Sequence, residues 1–239
     1  MIILKKKCNI KNDETVRGGS EYSCPLISAC TTAKGGTLMH REVSFITDDG
    51  IKISGDLYKG GDTAIILLHM YTATKQTWKD FAQELQQKGY TVLAIDFRGH
   101  GASDLKYTTF TEKDFNNMIY DARTAKKFLG KKRTIVMGAS IGANIALKFA
   151  NEVNGVVALS PAFNYKGIKT KDDASKIRQP VLIVVSEEDK QSVEDSQDLN
   201  KIISRSTLQI YKGKGHGTNM LDRESKDRIL EWLSKNGLS

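Results

Sequence analysis

Residues 134–150 read TIVMGASIGANIALKFA, and this stretch decides the fold. Its opening is apolar and β-branched, as a buried strand requires, and its close, NIALKFA, carries an Ala-rich helical pattern. Between them Gly138-Ala139-Ser140-Ile141-Gly142 forms a G-x-S-x-G turn from strand to helix. Such a turn cramps the backbone at the serine, and the two glycines stand where side chains would collide. It also lifts the Ser140 hydroxyl clear of the sheet at a helix N-terminus, where unpaired N–H groups and the helix dipole favour negative charge. Ser140 is therefore the candidate nucleophile. The pattern is short enough to arise by chance; the flanking strand and helix supply the context it needs.

Outward from this turn, strand and helix alternate from about residue 40. REVSFITDD and IKISGDLYKG read as an antiparallel hairpin around Asp49-Gly50, a strong turn signal. TAIILLHMY is a continuous apolar run, expected of a central strand covered on both faces. Trp78, Phe81 and Leu85 recur at helical spacing, with Gly89 beyond the helix end. TVLAIDF is another buried strand, followed by the turn RGHGASD and the helix DFNNMIYDARTAKKFLG. After the serine turn come strand GVVALS, a linker, strand VLIVVS, helix EDSQDLNKII, strand STLQIY and a terminal helix bearing Ile229, Trp232 and Leu233. A hairpin followed by repeated strand–helix units predicts an α/β fold, a mostly parallel twisted sheet with helices on both faces. Reactive groups in such sheets collect at the carboxyl ends of the strands.

Composition narrows the function classes. A 239-residue chain, 39% hydrophobic and 27% charged, can bury a sizeable core as one large domain. The net charge of +8 is scattered, and its densest cluster, Lys126-Lys127 with Lys131-Lys132-Arg133, sits at a helix end, where cations suit the dipole. That reading disfavours a nucleic-acid partner. No run approaches the ~18 apolar residues of a membrane-spanning helix. Residues 1–39 read as an N-terminal extension, disordered or a cryptic leader, ahead of a domain over 40–239. All three cysteines, Cys8, Cys24 and Cys30, lie in that extension, so neither a disulfide framework nor a zinc site is expected in the body. MIILKKK and the polar residues after it lack a signal-peptide core, which points to the cytoplasm. Ile27-Ser28-Ala29-Cys30 nevertheless resembles a lipobox, leaving a lipid-anchored lipoprotein through Cys30 as the alternative. Without phosphate loop, paired carboxylates or metal-ligand cluster, no cofactor and no metal are implied.

A serine nucleophile needs a base, an acid that orients the base, and donors for the developing oxyanion. His216, in Lys214-Gly215-His216-Gly217 after the last strand, is free to swing over the sheet and is the candidate base. His100 reads as a turn residue, His69 as a hydrogen-bonded structural residue at a strand end, and His40 has no evident role. For the acid, Glu187-Glu188-Asp189 follows VLIVVS. Asp189 is favoured because a short turn lets it point back over the sheet edge, with Glu188 a competitor.

LLHMY at 67–71, DFRGHGAS at 96–103, GASIGA at 138–143, SEED at 186–189 and GKGHG at 213–217 together resemble the α/β-hydrolase superfamily, in its compact lidless serine-esterase branch. The order Ser140, Asp189, His216 is that family's order of nucleophile, acid and base. The resemblance implies an oxyanion hole from the backbone N–H groups of Ile141 and Tyr71, with Met70 as the fallback for the second donor. Many relatives carry His-Gly where this chain has His69-Met70. The linker between GVVALS and VLIVVS, which holds the lid in capped relatives, is about nineteen residues and has room for one short helix only. An open cleft is expected, with Met70 and Phe163 as candidate substrate contacts. Phe163, Tyr165 and Ile168 fit lining the cleft or covering the core equally well. The expected activity is hydrolysis of small-molecule carboxylic esters through an acyl-enzyme. A thioesterase or acyltransferase on the same site, and a non-catalytic small-molecule-binding protein on this scaffold, are the alternatives.

Overall fold

The computed structural model describes residues 40–239. The N-terminal extension, with its three cysteines and the lipobox-like Cys30, lies outside the described residues. Strands β1 (Arg41–Ile46) and β2 (Lys52–Tyr58) form the expected hairpin, and Gly50 takes φ 83° in its turn. Then follow β3 (Thr63–Leu68), α1 (Lys79–Gln87), β4 (Thr91–Ile95), α2 (Glu112–Asn116), α3 (Met118–Leu129) and β5 (Arg133–Ala139). Next are α4 (Ile141–Lys148), β6 (Gly155–Leu159), β7 (Asn164–Tyr165), β8 (Ile168–Lys169) and α5 (Lys171–Ala174). The chain closes with β9 (Val181–Ser186), α6 (Lys190–Ile202), β10 (Ser206–Tyr211) and α7 (Arg223–Lys235).

Eight strands make one sheet in the order β1-β2-β4-β3-β5-β6-β9-β10. From β4 to β10 neighbouring strands are parallel, and β2 joins β4 antiparallel. This is the α/β-hydrolase fold. The period-2 alternation of a strand divides its side chains between two cores. Ile66 and Leu68 of β3 face one core with Met118 and Ala122 of α3, Ile145 of α4 and Leu199 of α6. Ile65 and Leu67 face the other, against Phe81 and Leu85 of α1 and Ile229, Trp232 and Leu233 of α7. Helices therefore cover both faces, which is why the central strands read as unbroken apolar runs.

Two local expectations are refined. The helix read over 114–130 is two pieces, α2 and α3, broken at Asn117, with Thr111 and Asp114 closing a capping box at the start of α2. The linker after β6 holds a two-stranded hairpin, β7–β8, besides the four-residue α5. Among the described residues no helix is long and apolar enough to cross a membrane, and no group of three or more His, Cys, Asp or Glu could hold a metal ion.

Candidate active site

Ser140 sits between β5 and α4 at φ 52°, ψ −115°, outside the regions that L-residues ordinarily occupy. Close packing on both sides holds it there. A Cβ on Gly138 would lie 2.0 Å from the Gly142 carbonyl oxygen, and one on Gly142 would lie 2.4 Å from that of Leu68. The elbow is also tied to the neighbouring strand, since the Ser140 N–H donates to Leu159 O at 2.8 Å.

Asp189 precedes α6 just beyond the carboxyl end of β9, and His216 follows β10 in the next loop. The His216 Nδ1 meets Asp189 Oδ2 at 2.6 Å. Because a carboxylate only accepts when ionised, Nδ1 carries the proton and Nε2 is left as the basic nitrogen. The histidine loop is docked beside the elbow. Gly217 N–H donates to Ser160 Oγ at 3.1 Å, and a Cβ on Gly217 would stand 3.5 Å from the Ala139 Cβ. His216 is 43% exposed and Asp189 17%, so the imidazole faces the solvent side of the site while its partner is largely covered.

Glu188 is engaged elsewhere. Its Oε2 accepts from Ser186 Oγ and its Oε1 from the Gly213 N–H, contacts that hold the carboxyl below the usual carboxylate range, the Ser186 hydroxyl foremost. Ser186 Oγ in turn accepts from the Lys214 N–H at 3.0 Å. Glu188 thus clamps the loop that carries His216 and leaves the imidazole to Asp189.

The two candidate oxyanion donors come from different elements. Ile141 opens α4, where the first N–H groups of a helix have no intrahelical partner. Tyr71 lies in a turn in which Ala73 N–H donates to Met70 O at 3.1 Å and Thr72 takes φ 63°. Neither the Tyr71 nor the Ile141 N–H makes a hydrogen bond among the described residues. The fully buried His69 holds the turn: Nε2 accepts from the Phe97 N–H at 3.0 Å and Nδ1–H donates to Met70 O at 2.8 Å. A planar trans peptide points its C=O and N–H in opposite directions. Anchoring the Met70 carbonyl on His69 therefore turns the Tyr71 N–H the other way. Burial pushes the His69 pKa down to about 4, so the ring is neutral at ordinary pH. Behind it, buried Lys75 donates to Asp96 through both its N–H (2.8 Å) and Nζ (2.9 Å), pinning this loop to the 96–103 turn.

Met70 packs toward the histidine loop. Its Sδ would lie 3.0 Å from a Cβ on Gly217, and it accepts from Thr218 Oγ1 at 3.8 Å. Phe163 is half-buried against the core with Lys171 Nζ 4.9 Å from its ring centre, and its N–H donates to Asp195 Oδ2. None of these contacts brings it to Ser140. Burial raises the Tyr165 phenol pKa, the Tyr71 phenol adds to the rise, and the Ser140 hydroxyl pulls the other way. Tyr165 also meets the Tyr71 ring edge-on at 6.2 Å, and Tyr71 contacts Tyr107, Phe115 and His100 similarly.

Sequence reading passed over Asn144 and Ser160. Asn144, fully buried on α4, donates to Ile168 O (2.9 Å) and accepts from the Ala162 N–H (2.9 Å). A lone amide on an otherwise apolar helix was its available signal. Ser160 has no comparable signal, since its role depends on the distant His216 loop. A separate surface hollow of ≈ 470 Å³ beside β10 and α7, lined by Tyr211, Glu224 and Arg228 among others, shares no residue with this site.

The parallel sheet, with a strained serine at the end of a central strand and an Asp–His pair at the ends of later ones, defines the class of α/β hydrolases. The Hydrolase_4 family (serine aminopeptidase, S33) matches residues 61–171. A carboxylesterase of Bacillus subtilis is 26% identical over 111 residues, 46% of this chain and 45% of the relative. Epoxide hydrolase B of Mycobacterium tuberculosis is 30% identical over 108 residues, 44% of this chain and 30% of the relative. The matches thus span less than half the length of these curated relatives. An esterase of Pyrococcus furiosus superposes with a TM-score of 0.73 at 23% identity, covering 88% of this chain and 96% of that one. The chain shares the α/β-hydrolase fold with these esterases and resembles the Hydrolase_4 family over residues 61–171.

Proposed function

We propose that the chain is a serine hydrolase that cleaves carboxylic esters of small or exposed acyl groups, with residues 40–239 as its catalytic domain. The 2.6 Å contact between His216 Nδ1 and Asp189 Oδ2, beside the strained Ser140 elbow, carries the reading. Ser140 Oγ attacks the ester carbonyl while His216 Nε2 takes its proton. The carbonyl oxygen gains charge as the tetrahedral intermediate forms, facing the N–H groups of Tyr71 and Ile141. His216 then gives its proton to the departing alcohol oxygen, leaving Ser140 acylated. Water, deprotonated by the same nitrogen, releases the carboxylic acid and restores the hydroxyl. Asp189 keeps the proton on Nδ1 and stabilises the imidazolium formed in each half-reaction.

The esterase named among the structural neighbours and the carboxylesterase among the relatives support this substrate class. The short β7–β8 and α5 insertion supports an open cleft, since it builds no separate lid. Thioester hydrolysis and acyl transfer to an alcohol use the same acyl-enzyme. The experiment is fluorophosphonate labelling together with turnover of p-nitrophenyl acetate. The parent chain is expected to do both and Ser140→Ala neither. Normal turnover by Ser140→Ala overturns the assignment.

A further inference from the structure

The β7–β8 hairpin is joined by the two residues Lys166 and Gly167, at φ 52° and φ 82°. Two left-handed residues in succession make the tight turn whose twist suits a hairpin, and Asn or Gly takes its first position with least steric cost. Here a lysine stands there. The hairpin is fixed rather than loose: Asn144 Nδ2 holds Ile168 O, Asn116 Nδ2 holds Gly167 O at 3.0 Å, and Thr170 Oγ1 holds Ala162 O at 2.8 Å.

This frame sets the Tyr165 ring 6.2 Å from that of Tyr71 and folds the next side chain over the same ring. Lys166 Nζ lies 4.8 Å from the Tyr71 ring centre and 6.0 Å from that of Phe115. Tyr71 is the residue whose N–H is assigned to the oxyanion. Lys166 enters none of the ion pairs formed among the described residues, although Glu112 passes directly beneath Gly167. An exposed ammonium over an aromatic ring is held weakly, so a carboxylate displaces that contact at little cost.

Direction follows from the chemistry. His216 must protonate the leaving oxygen, so the alcohol departs on the His216 side. The acyl chain then runs the other way, toward Tyr71, over whose ring Lys166 is folded.

We propose that Lys166 is a specificity-determining residue that binds a carboxylate on the far end of the acyl chain, so that the preferred substrates are half-esters of dicarboxylic acids. The inference rests on the ester-hydrolase reading and deepens it. The test compares kcat/KM for the p-nitrophenyl half-ester of adipic acid with that for p-nitrophenyl hexanoate, which matches it in chain length and lacks the charge. One charge-assisted hydrogen bond in a solvent-facing site corresponds to roughly a tenfold preference. Lys166→Met is expected to lower the adipate-to-hexanoate ratio about tenfold, Lys166→Arg to retain most of it, and added salt to compress it in the parent chain. Lys131→Met removes the same charge just before β5, beyond the strand end opposite Ser140, and is expected to leave the ratio alone. An unchanged ratio in Lys166→Met, or an equal fall in Lys131→Met, overturns the inference while hexanoate turnover still upholds the hydrolase reading. Absence of turnover of both esters by the parent chain overturns both.

Discussion

His69 offers the sharpest test of how the proposed oxyanion donor, the Tyr71 N–H, is presented. Its imidazole is fully buried and bonds the Phe97 N–H through Nε2 and the Met70 carbonyl through Nδ1–H. His69→Ala orphans the Phe97 N–H, worth about 1–3 kcal/mol, and opens a void beside it, for a combined stability loss of about 2–5 kcal/mol. Met70 O keeps its bond from Ala73, but the Met70–Tyr71 peptide loses its restraint from the interior side. Removing one oxyanion donor outright costs about 2.7–4 kcal/mol of transition-state stabilisation. His69→Ala is therefore expected to lower kcat for p-nitrophenyl acetate by roughly 10- to 1,000-fold with KM little changed.

Two further variants separate stability from positioning. The Asn amide nitrogen falls where Nδ1 stood and can donate to Met70 O; the Gln amide oxygen falls where Nε2 stood and can accept from Phe97. His69→Asn should retain more kcat, and His69→Gln more resistance to urea. Protonation gives an independent readout. Burial holds the folded pKa near 4 against an unfolded value near 6.5, so the neutral ring's contribution is fully present above pH 6.5. It is lost as pH falls toward 4, about 3 kcal/mol in all. Urea midpoints of His69→Asn should accordingly fall less between pH 6.5 and pH 4 than those of the parent chain. A His69→Ala protein that is destabilised yet turns over within twofold of the parent refutes the positioning role, and equal kcat in the Asn and Gln variants refutes its route through Met70.

The remaining predictions concern the elbow and the acid. Gly142→Ala drives a methyl to within 2.4 Å of Leu68 O and 2.8 Å of His69 O, both backbone atoms, so the strand end and oxyanion turn must move. A stability loss of about 2 kcal/mol or more is expected, read as a lower urea midpoint at unchanged slope, with kcat falling as the two donors separate. Asp189→Asn should reduce kcat by about 10³- to 10⁴-fold, because the amide favours the wrong imidazole tautomer. Glu188→Gln, which loosens the Gly213 and Ser186 contacts, should cost less than about tenfold in kcat and register mainly as lower stability. The reverse ranking of the two acids would return Glu188 to the role of orienting His216.

Local chemistry made much of the scaffold readable. The apolar runs of β3, β4, β5, β6 and β9 are continuous because helices cover both faces of the sheet. The Ser140 elbow declares itself through two glycines packed too closely for any Cβ. What stayed hidden depended on partners far apart in the chain. Adjacent in sequence, Glu188 and Asp189 offer the same functional group, and only the packing of the β10–α7 loop sends Glu188 to Gly213 and Asp189 to His216. Likewise β2 reads as half of a hairpin, yet its second edge pairs with β4 to join that hairpin to the parallel strands.

Sequence by itself determined most of the strands and helices, the serine turn, and the placing of an acidic run and His216 beyond two later strands, since periodicity and turn chemistry act over a few neighbouring residues. The tertiary structure alone decided which carboxylate meets the imidazole, that His69 turns the Tyr71 N–H outward, and that a short hairpin brings Tyr165 and Lys166 against the Tyr71 ring. These follow from hydrogen bonds between segments tens of residues apart, such as Asn144 with Ile168 and Gly217 with Ser160, and a local pattern carries no record of them.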